Sequence, residues 1–173
     1  MIVLVMGVAG CGKTTVGARL ANALGARFHE GDAFHPPANV EKMRRGEPLT
    51  DQDRLPWLKA IAAAIASVDA AGESAVFACS ALKRSYRDIL RAASATLRIV
   101  YLSGGEALIR ERLEARRGHF MPPSLLPSQF RTLEPPDPAE QAVVVDIGQS
   151  PDAIVARVRA ALDRSDDAPD TSR

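Results

Sequence analysis

The sequence predicts an α/β fold in which a parallel sheet is covered by helices on both faces. Short apolar runs alternate with amphipathic segments along the chain, which is typical of a doubly wound sheet. A glycine-rich segment follows the first apolar run directly and leads into a helical pattern. The 173 residues suffice for one domain with a substantial core, which we place at residues 1–164.

The individual elements follow from where the apolar patterns begin and end. The run Ile2–Met6 is continuously apolar and rich in β-branched residues, which predicts a buried first strand. Val16, Leu20 and Leu24 then follow at helical spacing, and Gly25 suits the end of that helix. Together with later apolar runs, the predicted strands lie near 2–6, 27–30, 75–79, 98–102 and 142–147. The remaining periodic segments predict helices near 13–24, 37–45, 52–71, 83–93, 104–116, 124–133 and 151–164.

Helix-breaking residues and a polar terminus punctuate these elements. Gly46-Glu47-Pro48 separates the second predicted helix from the third, and the proline-rich segment Glu134–Pro138 precedes the last strand. The segment 165–173 is polar, contains Pro169 and has no apolar residue after Ala168. That composition predicts a disordered tail.

The glycine-rich segment Gly7–Thr14 reads G-x-x-x-x-G-K-[ST], the pattern of a phosphate-binding loop. Gly7 and Gly12 allow a tight turn that brings successive backbone N–H groups onto phosphate oxygens. Lys13 adds a positive charge toward the β- and γ-phosphates, and the Thr14 hydroxyl is suited to ligate Mg²⁺. The helix that begins here directs its positive dipole end at the same anion. The alternative is a glycine-rich turn with an incidental lysine.

Composition and charge exclude several broad classes of protein. The net charge of +1 provides no global field for nucleic acid or an acidic surface. No apolar run approaches the roughly 20 residues of a membrane span, and a strand beginning at Ile2 leaves no room for a signal peptide. Two cysteines make no disulfide framework. We therefore expect a cytoplasmic protein with no nucleic-acid or membrane partner.

Two polar side chains follow the second predicted strand. Because ligands bind beyond the carboxyl ends of parallel strands, Asp32 is expected on the same side as the phosphate-binding loop. Its carboxylate is suited to accept a proton from an attacking hydroxyl or to hold a Mg²⁺-bound water, although aspartate also commonly caps helices. His35 is suited to bond a polyhydroxylated substrate, or it simply satisfies a turn before two prolines.

Three basic side chains are candidates for binding an anionic substrate. Arg54 lies near the start of the longest predicted helix, where a cation is disfavoured, so it is either a substrate anchor or a surface ion-pair partner. Lys83 and Arg87 are four residues apart and share one helix face. The alternative for this pair is a solvated basic surface.

The basic segment Arg116–Pro123 combines positive charge with residues that break helices. Beside a phosphate-binding loop, such a segment suits a mobile lid that brings arginines onto the transferring phosphate. A charged helix end followed by an ordinary loop is the alternative.

Several separated motifs of the chain closely resemble the small P-loop gluconokinase family. They are GVAGCGKTT, GDAFHPPANVEKMRRGEPLTDQDRLPWL, ACSALKRSYRDILR and RGHFMPPSLLPSQFRTLEPP, in the expected order. The resemblance implies a P-loop nucleoside-phosphate kinase-like three-layer sandwich, with a five-stranded parallel sheet and a mobile lid at about 117–130. It implies transfer of the ATP γ-phosphoryl group to the 6-hydroxyl of D-gluconate with Mg²⁺, and a homodimer.

The resemblance also implies roles for individual residues. Lys13 and Asp32 are the expected catalytic residues, and Thr14 is the expected metal ligand. The expected ATP contacts are Gly7, Val8, Ala9, Gly10, Cys11, Gly12, Lys13, Thr14, Thr15 and the lid arginines Arg112 and Arg116. The expected D-gluconate contacts are Asp32, His35, Arg54, Lys83, Arg87 and Gln129.

Two other functions are compatible with a phosphate-binding loop. One is a different small-metabolite kinase, similar to shikimate kinase. The other is a nucleotide-dependent switch that binds a partner. A switch has no need for convergent Arg54, Lys83, Arg87 and His35, and the chain contains no guanine-reading Asn-Lys-x-Asp element. The strand near 75–79 also lacks the terminal Asp of a hydrolase-type site.

Overall fold

The computed structural model describes residues 1–115 and 123–166. In this part of the chain, five parallel strands form one sheet in the order β2-β3-β1-β4-β5. The strands are β1 (Ile2–Met6), β2 (Arg27–Glu30), β3 (Ala75–Ala78), β4 (Leu97–Ser103) and β5 (Val143–Asp146). The α/β class and the five-stranded parallel sheet predicted from the sequence are confirmed.

The described residues form seven α-helices and three short 3₁₀ helices. The α-helices are α1 (Lys13–Leu24), α2 (Pro37–Arg44), α3 (Asp51–Ala70), α4 (Arg84–Arg91), α5 (Glu106–Ala115), α6 (Leu126–Thr132) and α7 (Pro151–Asp166). The 3₁₀ helices are Gly31–Phe34, Pro123–Leu125 and Pro138–Glu140. No helix among the described residues is long and apolar enough to span a bilayer.

Two predicted segments overlap the undescribed residues. Helix α7 continues to Asp166, so the tail predicted from residue 165 begins inside a helix, and 167–173 lie outside the described residues. Residues 117–122 of the predicted lid also lie outside them. Its remainder, 123–130, forms a 3₁₀ helix and part of α6.

Strand β1 is the centre of the fold because both of its faces are covered. Side chains alternate between faces along a strand, and all five residues of β1 are buried. Val3 and Val5 belong to a core shared with α1, α5 and α7, whereas Leu4 belongs to a core shared with α3 and α4. The result is three layers with the sheet in the middle.

The carboxyl ends of the strands gather the segments that form the site. The loop after β1 and the turn after β2 meet the segment after β3 at one edge of the sheet. Gly31 comes so close to β3 that an added Cβ would lie 2.2 Å from the Ala78 carbonyl oxygen. Only glycine permits this approach, which fixes the position of the neighbouring Asp32.

The turn that carries Asp32 is also attached to α3. The Trp57 indole N–H donates to the Gly31 carbonyl at 2.7 Å. The His35 ring stacks on Trp57, with centroids 4.2 Å apart. Burial lowers the pKa of His35 from 6.5 to about 4; nearby Asp32 partly opposes this shift and Arg54 reinforces it. His35 is therefore neutral in the folded protein at neutral pH.

This stack makes stability depend on pH in a defined window. The unfolded chain binds a proton at His35 below about pH 6.5 and the folded chain only below about pH 4, so stability falls as pH drops between these values. Between about pH 7 and pH 4.5, we expect the free energy of unfolding to fall about 1–2 kcal/mol less in His35→Gln than in the wild type. This value allows for the partial exposure of the ring, which weakens the effect. Urea denaturation at each pH measures this. Parallel stability curves would contradict it.

Candidate active site

The phosphate-binding loop connects β1 to α1 through three glycines with positive φ. Gly7 has φ 144°, and an added Cβ would lie 2.8 Å from the Leu102 carbonyl oxygen and 2.7 Å from Cys11 Sγ. The Gly7 N–H donates to the Ser80 carbonyl at 3.3 Å. The loop is thus fixed against the segment that follows β3 and against the end of β4 itself.

The N-terminus of α1 is suited to bind an anion. Its N-cap is Gly12, with φ 99°, and no side chain of the described residues caps it. Its first turn contains no acidic residue. The N–H groups of this turn are therefore available to phosphate oxygens. Lys13 Nζ donates to the Val8 carbonyl at 3.0 Å, which keeps the ammonium over the loop.

A cavity of about 400 Å³ opens in front of this loop. Asp32 lies on its wall with Glu30, facing a space that Lys13 and Arg112 also line. The described residues that line it are Ala9, Gly10, Cys11, Gly12, Lys13, Thr14, Thr15, Val16, Glu30, Asp32, Ser80, Arg112, Ala115, Gln129, Gln149, Pro151 and Ile154. The structure thus brings the predicted loop residues from Ala9 to Thr15 to one cavity with Asp32, Arg112 and Gln129.

The cavity wall carries the hydroxyl side chain of Thr14. Within the described ranges, no group of three or more His, Cys, Asp or Glu side chains is arranged to hold a metal ion. Thr14 is exposed at the cavity wall. A hydroxyl in that place can ligate Mg²⁺ when phosphate oxygens supply further ligands.

Two arginines were predicted to approach ATP. Arg112 lines the cavity and donates from Nη2 to the Ile147 carbonyl at 2.8 Å, which fixes its guanidinium beside the loop. Arg116 lies outside the described residues.

A second, smaller cavity adjoins the first. Ser80 and Gln129 line both cavities, so they stand at the boundary. Gln129 also accepts a 2.6 Å hydrogen bond at Oε1 from the Ala9 N–H, which joins α6 to the phosphate-binding loop. The smaller cavity is lined by Met43, Pro48, Leu49, Arg54, Ser80, Leu82, Leu125, Ser128 and Gln129.

Arg54 is the cation that faces the smaller cavity. Its side chain is only 15% exposed, and Nη1 donates to the Leu49 carbonyl at 2.6 Å and to Tyr86 Oη at 3.4 Å.

Helix α3, which carries Arg54, begins with a capping box in which Thr50 and Asp53 bond each other's backbone N–H. Hydrogen bonds from Lys42 and Thr50 lower the pKa of Asp53 to about 2, so the capping carboxylate stays charged.

Lys83 is held outside both cavities by an ion pair. Its ammonium lies 2.9 and 2.8 Å from the two carboxylate oxygens of Asp51, which also accepts from the Tyr86 hydroxyl. The mutual hydrogen bond raises the pKa of Lys83 and lowers that of Asp51, so both stay charged. His35 likewise lies outside both cavities, although its pKa responds to Asp32 and Arg54.

The structure corrects the expectation that Arg87 contacts substrate. The residue is fully buried, and Nε and Nη2 donate to the two carboxylate oxygens of Glu140 at 2.6 and 2.7 Å. Nη1 donates to three backbone carbonyls. Although Arg87 is four residues from Lys83, its guanidinium is directed into the protein, away from both cavities.

Sequence reasoning missed three polar side chains that line the larger cavity, Glu30, Ser80 and Gln149. Glu30 and Ser80 follow the same signal as Asp32, since each lies at or just beyond the carboxyl end of a strand.

The two cysteines are excluded as nucleophiles. Burial raises the pKa of the Cys79 thiol to about 12 and also raises that of Cys11, so neither forms a thiolate at neutral pH.

The geometry agrees with comparisons to known proteins. A family model described as an AAA domain matches residues 2–136. Gluconokinase of Gluconobacter oxydans is 50% identical over 88% of this chain and 85% of its own. The crystal structure of a gluconokinase from Sinorhizobium meliloti is 49% identical, with a TM-score of 0.86 over 94% of this chain and 91% of that one.

A more distant likeness supports the fold alone. Shikimate kinase from Aquifex aeolicus has a TM-score of 0.60 at 14% identity, covering 96% of this chain and 98% of its own. The two gluconokinases, at 49–50% identity, match this chain over most of its length and most of their own. The chain therefore belongs to the gluconokinase family.

Proposed function

We propose that this protein is an ATP-dependent gluconokinase, which transfers the γ-phosphoryl group of ATP to the 6-hydroxyl of D-gluconate. The observation that carries the proposal is the junction of two cavities at Ser80 and Gln129. The phosphate-binding loop lines one of these cavities, and the Arg54 guanidinium lines the adjoining one. Phosphoryl transfer requires this arrangement, because donor and acceptor must meet in line.

In this proposal, the larger cavity holds the ATP phosphates. The first turn of α1 supplies backbone N–H groups, and Lys13 and Arg112 supply positive charge. Mg²⁺, held by Thr14 and phosphate oxygens, offsets negative charge on the transferring group when it is bound. Arg116 stays a prediction, as does lid closure to exclude water.

The smaller cavity holds part of the acceptor. Gluconate carries one carboxylate and several hydroxyls, and the planar Arg54 fork suits the carboxylate. Gln129, His35 and Lys83 are the further predicted contacts to the sugar acid. Asp32 lies on the wall of the phosphate cavity, where it would orient the 6-hydroxyl and accept its proton. A cytoplasmic homodimer remains part of the proposal.

A substrate panel tests the reaction itself. With ATP and Mg²⁺, we expect coupled ADP release with gluconate and a kcat/KM at least about 100-fold lower with glucitol, which lacks the carboxylate that Arg54 binds. Phosphorylation of shikimate but not gluconate would contradict the proposal. Slow ATP hydrolysis that no acceptor stimulates would instead favour a nucleotide-dependent switch.

The role of Asp32 predicts a specific kinetic change. Asp32→Asn keeps the size of the side chain but removes its ability to take a proton, so kcat should fall about 10²–10⁴-fold with little change in the gluconate KM. Steady-state kinetics in both substrates measure this. The exposed neighbour Ala33 provides a control through Ala33→Ser, which should leave kcat unchanged. If only KM rises in Asp32→Asn, the carboxylate binds substrate without acting as a base.

Arg54 predicts a complementary change in binding. Arg54→Ala should raise the gluconate KM about 10- to 100-fold and leave the ATP KM unchanged, because a charge-assisted bond to the carboxylate is lost. Arg54→Lys keeps the charge but loses the planar guanidinium, so its gluconate KM should lie between those of the wild type and Arg54→Ala. The exposed Arg45, paired with Glu47, serves as the control through Arg45→Ala. An unchanged gluconate KM would show that Arg54 does not contact the acid.

A further inference from the structure

The buried ion pair between Arg87 and Glu140 joins three separate segments. Both side chains are 1% exposed, and the pair is made by two hydrogen bonds of 2.6 and 2.7 Å. Arg87 Nη1 lies 3.1, 3.2 and 3.0 Å from the carbonyls of Ala81, Leu82 and Glu134. One guanidinium thus connects α4 to the turn after β3 and to the segment before β5.

The first connected segment carries a conformation that needs support. Ala81 has φ 42°, in the left-handed region that a residue with a Cβ rarely adopts. Such a conformation persists only where surrounding contacts impose it. Arg87 supplies two of these contacts, at the carbonyls of Ala81 and Leu82. The preceding residue, Ser80, lines both cavities and accepts the Gly7 N–H of the phosphate-binding loop.

The second connected segment leads to the other boundary residue. Glu134 follows α6 closely, and its backbone N–H donates to the Leu82 carbonyl at 2.8 Å. Helix α6 carries Gln129, whose Oε1 accepts from the Ala9 N–H. The segments of both residues that line the two cavities are therefore attached to the same group, Nη1 of the buried Arg87.

We propose that Arg87 and Glu140 are positioning residues, which act through Ser80 and Gln129 to set the separation between the ATP phosphates and the acceptor. This inference rests on the proposed kinase reaction. Neither side chain touches substrate, since both are buried away from the cavities. Their importance follows from the chemistry: phosphoryl transfer depends on alignment, and a displacement of about 1 Å can cost about 100-fold in rate.

Arg87→Lys tests this directly. Lysine keeps the positive charge, but its ammonium cannot hold a forked carboxylate contact and three carbonyls in the same plane. We expect kcat to fall about 10- to 100-fold per folded molecule, while the KM values for ATP and gluconate change less than about threefold. The matched control is Ile65→Ala, a buried change on α3 away from the cavities. It should lower Tm without lowering kcat per folded molecule.

A double variant separates positioning from stability. Buried ion pairs are often replaced by apolar residues of similar size without loss of stability. Arg87→Met with Glu140→Met should therefore be more stable than either single variant. Because methionine cannot donate to the carbonyls of the turn, kcat should stay low in the double variant. Wild-type kcat in the double variant, or in Arg87→Lys, would overturn the proposal.

Hydrogen exchange provides a readout that does not require the proposed reaction. If Arg87 holds the turn, the Gly7 amide bonded to Ser80 should exchange at least about tenfold faster in Arg87→Lys than in Ile65→Ala, as measured by NMR. Unchanged exchange at Gly7 would overturn the positioning role. A selective rise in the gluconate KM at normal kcat would also overturn it, in favour of direct contact. A wild-type protein that does not phosphorylate gluconate refutes the proposed function, and the Gly7 exchange then decides the positioning role.

Discussion

The close approach of Gly7 to the two segments beside β1 is the constraint on which the site depends. A Cβ there would collide with the Leu102 carbonyl, while the Gly7 N–H is bonded to Ser80. The loop is therefore fixed on both sides before it turns into α1. Its later amides, together with the N-terminus of α1, remain directed at the cavity. Anion binding here comes from backbone geometry, to which Lys13 adds charge.

The cations around the smaller cavity have different partners, and this decides what each can do. Lys83 is already neutralised by Asp51, and Arg87 by Glu140. Arg54 lies 4.0 Å from Asp51, its hydrogen bonds are to a carbonyl and a phenol, and it lines the cavity. Among the described residues that line this cavity, Arg54 is thus the incompletely neutralised cation that an acidic ligand would meet. The sequence offered all three basic residues as candidates for binding an anionic substrate.

Local patterns predicted the strands, the phosphate-binding loop and Asp32, because each depends on residues adjacent in the chain. The environment of Arg87 could not be predicted from such local patterns. Its spacing from Lys83 indicated a shared basic face, yet its partner Glu140 is 53 residues away. No local pattern identifies such a partner. The left-handed conformation of Ala81 could not be predicted locally either, since alanine does not favour it and its carbonyl is bonded by the distant Arg87.

A kinase of this kind gains its rate from alignment and charge, and little covalent chemistry is left for side chains to perform. For the rate, the residues at the boundary between the two cavities therefore matter as much as the groups that contact the substrates. Among the described residues, Ser80 and Gln129 line both cavities, and they come from different parts of the chain. The phosphate-binding loop is bonded to both of them, through the Gly7 N–H to the Ser80 carbonyl and through the Ala9 N–H to Gln129 Oε1. Behind the site, Arg87 adds a second connection between them, because it binds the turn next to Ser80 and the segment that follows α6.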